Sequence, residues 1–124
     1  MKIKIINERF SVCKVEDYSQ ININTPFCFI QKTDEENSLV CLTKDIPANV
    51  IIQEDHWICM RIEGVLDFNL IGILSKISSI LANVGIPIFA ISTYNTDYIF
   101  ISEINKKTAI DTLSKNGYDF VKEN

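Results

Sequence analysis

Glycine is scarce here, at four of 124 residues, and proline scarcer, at three. No phosphate-cradling glycine loop is present, and no long Gly/Ser linker divides the chain. Histidine occurs once, as His56, inside the charged segment "QEDHW", which reads as a linker. No Ser-His-Asp order and no G-x-S-x-G motif accompanies it, so the sequence carries no recognisable catalytic signature. Basic clusters are also missing. The 12 Lys and Arg are outnumbered by 16 Asp and Glu, for a net charge of −4, and Lys106-Lys107 is a negligible run. Nucleic-acid affinity comes largely from phosphate neutralisation, so that class is disfavoured despite the aromatics Phe89, Tyr98 and Phe100. No run approaches the roughly 18 apolar residues of a membrane span. The opening "MKIKIINERF" alternates like a strand and does not resemble a signal peptide. A cytosolic protein is expected.

Cys13, Cys28, Cys41 and Cys59 are widely spaced and never form C-x-x-C, the short spacing that zinc sites favour. Each has apolar neighbours. They read as reduced thiols acting as small hydrophobes in strands.

What is present is hydrophobic patterning, 47% of the chain. "WICMRIEG" (57–64) alternates and stops at glycine, so it predicts a strand. Leu70, Ile73, Leu74, Ile77, Ile80, Leu81 and Val84 recur at helical spacing and predict a helix over 70–84. Asn69 is placed to cap it and Gly85 to end it. "IPIFAIS" (86–92) and "DYIFISE" (97–103) predict a hairpin. A second helix is expected over 106–116, capped by Asn105, and a last strand over 118–122. Strand, helix, strand, strand, helix, strand is the split βαβ, ferredoxin-like order, with both helices on one face of a four-stranded antiparallel sheet. Upstream, 2–6 and 10–15 predict one hairpin, and 27–32 and 38–43 another. The segment 16–26 between them has weak helical character. Pro47 with "QEDH" marks the end of this strand-rich half, which is expected to pack against the rest.

Two places are equipped for a ligand. The loop 63–72 leads into the first helix, whose N-terminal N–H groups suit a carboxylate or phosphate. Gly72 lets a ligand or a neighbouring subunit approach the backbone closely. The second place is the tip of the hairpin "FAISTYNTDYIF" (89–100), where Ser92, Thr93, Asn95 and Asp97 offer acceptors for an ammonium. Loop and tip come from neighbouring strands, in one subunit or across two. Together they suit a zwitterion. Asp67, Asn95, Thr96 and Asp97 are also ordinary turn or cap residues.

The stretch "EGVLDFNLIGILSKISSILANVGIPIFAISTYNTDYIFI" resembles the C-terminal ACT domain of small bacterial ACT proteins, the type also found in the animal CASTOR arginine sensors. The signature is "LDF", "GIL", "GI" and above all "ISTYNTDYI". The match covers about 55–122. "DEENSLVC" resembles the acidic-Ser-Val-Cys segment in the first, ACT-like half of those proteins. The resemblance implies an α+β fold of two ferredoxin-like units packed together: a reduced, strand-rich half-domain over 1–54 and an ACT domain over 55–124. It implies a non-catalytic, amino-acid-binding regulator in the manner of aspartokinase regulatory domains. Such a protein is usually a homodimer, with no cofactor, metal, nucleic-acid or membrane partner. The ligand loop it implies is Asp67, Phe68, Asn69, Leu70, Ile71 and Gly72, faced by Ser92, Thr93 and Asp97. Leu70 stands where the arginine sensors carry an acidic residue two positions before the glycine, which implies a smaller or more apolar amino acid than arginine. The alternative is a ligand-free dimerisation or protein-interaction module.

Overall fold

A computed structural model describes residues 1–64 and 72–121. The elements are β1 (Lys2–Val15), β2 (Phe29–Lys32), β3 (Asn37–Leu42), β4 (Val50–Ile62), α1 (Ile73–Ala82), β5 (Phe89–Ser92), β6 (Asp97–Ser102), α2 (Lys106–Lys115) and β7 (Asp119–Val121). Short 3-10 turns cover Thr43–Asp45 and Glu103–Asn105. The result is an α+β, strand-rich fold. The chain forms two compact units, one of 8–57 and one of 1–7 with 58–124. The long strands β1 and β4 each contribute to both.

The larger unit carries the helices. Its strand order is β7-β1-β4-β6-β5, with β7 parallel to the first residues of β1 (Ile3 beside Phe120) and β5 antiparallel to β6. Ile77 and Leu81 of α1 and Ala109 and Leu113 of α2 bury against Ile3, Ile58, Met60, Ile62, Ile99 and Ile101. Both helices therefore cover one sheet face, as the crossover rule requires. Each fully buried Leu or Ile contributes about 1.5–3 kcal/mol of hydrophobic transfer.

The expected four-stranded antiparallel sheet needs correction. The N-terminal end of β1 lies between β4 and β7, so β7 pairs with β1 in parallel. The Lys2 carbonyl accepts from Glu63 N–H at 3.0 Å, and the Met1 carbonyl accepts from Asp119 N–H at 3.0 Å. Helix α1 ends at Ala82, and Val84 of the predicted stripe is 45% exposed. Gly85 (φ +75) does follow it, where a left-handed residue is wanted. Residues 86–88 precede β5 instead of belonging to it. Asn105 makes no side-chain capping bond to α2.

In the smaller unit β2 pairs β3 and β3 pairs β1, both antiparallel, over a core of Cys13, Val15, Leu39 and Cys41. The hairpin predicted over 2–6 and 10–15 does not exist, because β1 runs unbroken from Lys2 to Val15. The supposed linker "QEDH" is strand as well, since β4 starts at Val50. His56 sits within β4 at φ +69, a backbone conformation typical of a bulge. The predicted weak helix over 16–26 consists of turns and bends.

Candidate functional site

The hairpin tip is a network of its own side chains. Ser92 and Asp97 close the β5–β6 ladder opposite each other, and the Ser92 hydroxyl donates to Asp97 Oδ1 at 2.6 Å. Thr93 N–H donates to the Thr96 carbonyl at 2.9 Å, and the Thr93 hydroxyl reaches the same carbonyl at 3.1 Å. Thr96 points inward. It is 7% exposed, and its hydroxyl donates to the Ile62 carbonyl at 2.6 Å. This bond ties the tip to the last residue of β4, where the chain leaves toward α1. Tip and loop start therefore meet at one end of the sheet within one chain.

These bonds divide the predicted residues. The Thr93 hydroxyl serves the turn. Among the described residues, the hydrogen bond given for the Asp97 side chain is the one its Oδ1 accepts from Ser92, and Asn95 is exposed. In the sequence Thr96 has the character of an ordinary turn residue, and nothing local marks it as the anchor.

Behind the tip, the Arg61 guanidinium lies 5.9 Å from the centre of the Tyr98 ring and 3.6 Å from a Glu63 carboxylate oxygen. Partial burial opposes the Arg61 charge. The hydrogen bond with Tyr98 and the Glu63 carboxylate outweigh that and hold its pKa above the ordinary value. One strand over, Phe89 stacks on Phe100 with centroids 4.5 Å apart.

Asp67, Phe68, Asn69, Leu70 and Ile71 lie outside the described residues. Gly72 is described. It is not in the first helical turn as expected but is the N-cap of α1, left-handed at φ +80, with no side-chain capping bond. A helix N-terminus carries free N–H groups and partial positive charge, so this end of α1 suits an anionic acceptor. A cleft of about 330 Å³ opens there, lined by Met1, Gly72, Ile73, Lys76, Asn116, Gly117 and Tyr118. Among the described residues that line it, Lys76 is the charged side chain. Ser92, Thr93, Asn95 and Asp97 do not line it. Lys76 and the 116–118 wall were not singled out from the sequence, because the return of α2 beside α1 is a tertiary event.

Among the described residues, no three His, Cys, Asp or Glu are placed to hold a metal ion. No helix among them is long and apolar enough to cross a membrane.

An α+β unit with two helices on one sheet face, and a polar hairpin tip tied to the end of the strand that precedes its first helix, is consistent with a ferredoxin-like class of fold. Residues 52–115 match the ACT domain family, and the chain belongs to it. A crystal structure of an Agobacterium tumefaciens protein superposes with a TM-score of 0.86 at 28% identity, covering 99% of this chain and 93% of that one. A Vibrio cholerae protein of unknown function, described as a possible transport protein, gives a TM-score of 0.70 at 16% identity, covering 92% and 88%. The ligand-free regulatory subunit of aspartate kinase from Thermus thermophilus gives 0.60 at 8% identity, covering 91% and 95%. The last two likenesses concern the fold alone. No curated protein matches the sequence.

Proposed function

We propose that the chain is a non-catalytic regulatory module that binds a small amino acid, with the ligand held between two copies of the chain. On this reading it consists of two ACT-like units, the first reduced, with a boundary near 54/55. The observation that carries the proposal is the separation of charges. The Gly72 cleft offers the α1 N-terminus and Lys76 to a carboxylate, but its described lining holds no acidic side chain for an ammonium. The tip offers Asp97, oriented by Ser92, with Asn95 alongside. A zwitterion needs both ends, and a second copy brings a tip to a cleft. The family resemblance adds Asp67, Phe68, Asn69, Leu70 and Ile71 to the proposed ligand residues. Leu70 supports a small or apolar side chain on the ligand over arginine.

Binding at such an interface shifts assembly by its differential affinity for the two states. The test is a thermal-shift screen of the protein against the twenty amino acids, with sedimentation at several concentrations. A ligand binding only the native state adds about 2.7 kcal/mol at a hundredfold excess over Kd. One or two amino acids are expected to raise the melting temperature and favour the dimer, with the shift lost in Asp97→Ala. A folded protein that responds to none of them would leave the dimerisation or partner-docking module as the function.

A further inference from the structure

The first half of β4 lies open along one side. β4 has 13 residues and β6 has six. The Thr96 bond puts the start of β6 beside Ile62, so six residues laid back along β4 reach Trp57. Among the described residues, β1 is then the one strand beside 50–56. Residues 51–56 are all exposed, with Ile51 at 60% and Ile52 at 64%. These two neighbours project from opposite faces of the sheet. An edge strand with exposed aliphatic side chains is a template for another strand. His56, at φ +69, ends the regular edge.

The backbone on this edge has a definite phase. Glu16 N–H donates to the Asn49 carbonyl at 3.2 Å, which turns Asn49 toward β1. Residues alternate along a strand, so Val50, Ile52 and Glu54 turn their N–H and C=O to the open side. Val50 packs on the buried cluster of Cys13, Val15, Leu39 and Cys41. Ile52 lines a cleft of about 260 Å³ together with Cys13. The open edge therefore runs along the margin of that cluster.

We propose that a second copy of the chain docks on this edge, pairing β4 with β4 antiparallel about a two-fold axis at Ile51. Such a contact is self-complementary. Directly opposed residues turn their backbone groups either both toward or both away from the partner strand, so the axis falls on a residue. The side chains select which one. Centred on Ile51, the pairing sets Val50 opposite Ile52 of the partner subunit, Ile52 opposite the partner's Val50, and Ile51 opposite the partner's Ile51. Glu54 then faces the partner's Ala48, and no two carboxylates are opposed. An axis on Ile52 sets Glu54 against Val50, one on Gln53 sets Asp55 against Ile51, and one on Glu54 sets two glutamates together, which is destabilising. With the axis on Ile51, Val50 gains an aliphatic neighbour and the buried cluster continues across the joint. The paired Ile51 residues form the close, non-hydrogen-bonded kind of pair, with Cα atoms about 4.5 Å apart. The contact lies within the smaller unit and uses none of the residues of the tip or the Gly72 cleft.

The experiment measures the mass of the full-length chain by sedimentation over a range of concentrations, with no amino acid added. The wild type should associate into pairs. Ile51→Lys should remain a single chain under the same conditions, because it opposes like charges at an exposed position that the fold of one chain does not need. Ile23→Lys, at a site 68% exposed elsewhere in the same unit, should still pair. Under mild oxidation Ile51→Cys should give an interchain disulfide at position 51, located by peptide mapping, since a disulfide accepts Cα atoms about 4.4–6.8 Å apart. Ile52→Cys should not link to its own copy. A wild type that stays single at every concentration, pairing that survives Ile51→Lys, or a self-link at position 52 and not at 51 would overturn the proposal. The ligand reading turns instead on Asp97 and an added amino acid, so the two fail separately.

Discussion

The Thr96 hydroxyl and the Ile62 carbonyl oxygen are 2.6 Å apart, joining the hairpin tip to the end of β4 across 34 residues of sequence. The bond is buried, so its loss is not made good by water. Thr96→Val keeps the shape and strands the carbonyl. It should cost about 1–3 kcal/mol, the range for an unsatisfied buried polar group. Urea denaturation measures it. A midpoint equal to wild type would mean the tip is not anchored there.

Gly72 stands at φ +80, and a Cβ built on it meets nothing within 4 Å. Gly72→Ala should therefore cost about 1–2 kcal/mol from the left-handed backbone alone, without a steric clash in the chain. Denaturation measures that cost. If the cleft holds ligand against this backbone, the added methyl should also weaken binding in the thermal-shift assay beyond the change in stability.

Leu81 and Val84 share the helical stripe in the sequence but not the core in the fold. Leu81 is fully buried and Val84 is 45% exposed. Leu81→Ala should cost about 2–5 kcal/mol by leaving a cavity. Val84→Ala should stay within about 0.5 kcal/mol. Similar losses at both sites would contradict the end of α1 at Ala82.

Acid should loosen the 17–19 turn. The Ser19 hydroxyl and N–H, and also the Asn49 amide, donate to the Asp17 carboxylate and hold its pKa below the ordinary 3.8. A carboxyl with a lowered folded pKa contributes stability in full above 3.8, and that contribution is lost as pH falls through the folded value. The Ser19 amide signal followed by NMR should thus titrate below 3.8. Titration above it would show that the turn does not hold the carboxylate.

Much of the fold was legible because its signals are local. The stripe through Ile73, Ile77 and Leu81, the Gly85 stop, and the β2–β3 and β5–β6 hairpins all rest on contacts within a few residues. The misreadings share one cause. "NERF" and "QEDH" are polar enough to suggest a turn and a linker, yet both are strand. Their strand partners lie far along the chain: Phe10 pairs with Leu42, and β1 runs beside β4. Side-chain polarity does not report such pairing.

The candidate site divides in the same way. Asp97, Ser92 and Gly72 stand out in the sequence because their residue types suit ligand chemistry. The sequence by itself determined the helices, the hairpins and the polar tip, since each follows from periodicity and turn chemistry over short spans. The tertiary structure alone decided that residues 1–7 join the larger unit, that β7 runs parallel to β1, and that Thr96 anchors the tip. These depend on hydrogen bonds between distant segments, whose formation is set by the competition of all backbone groups for burial with a partner.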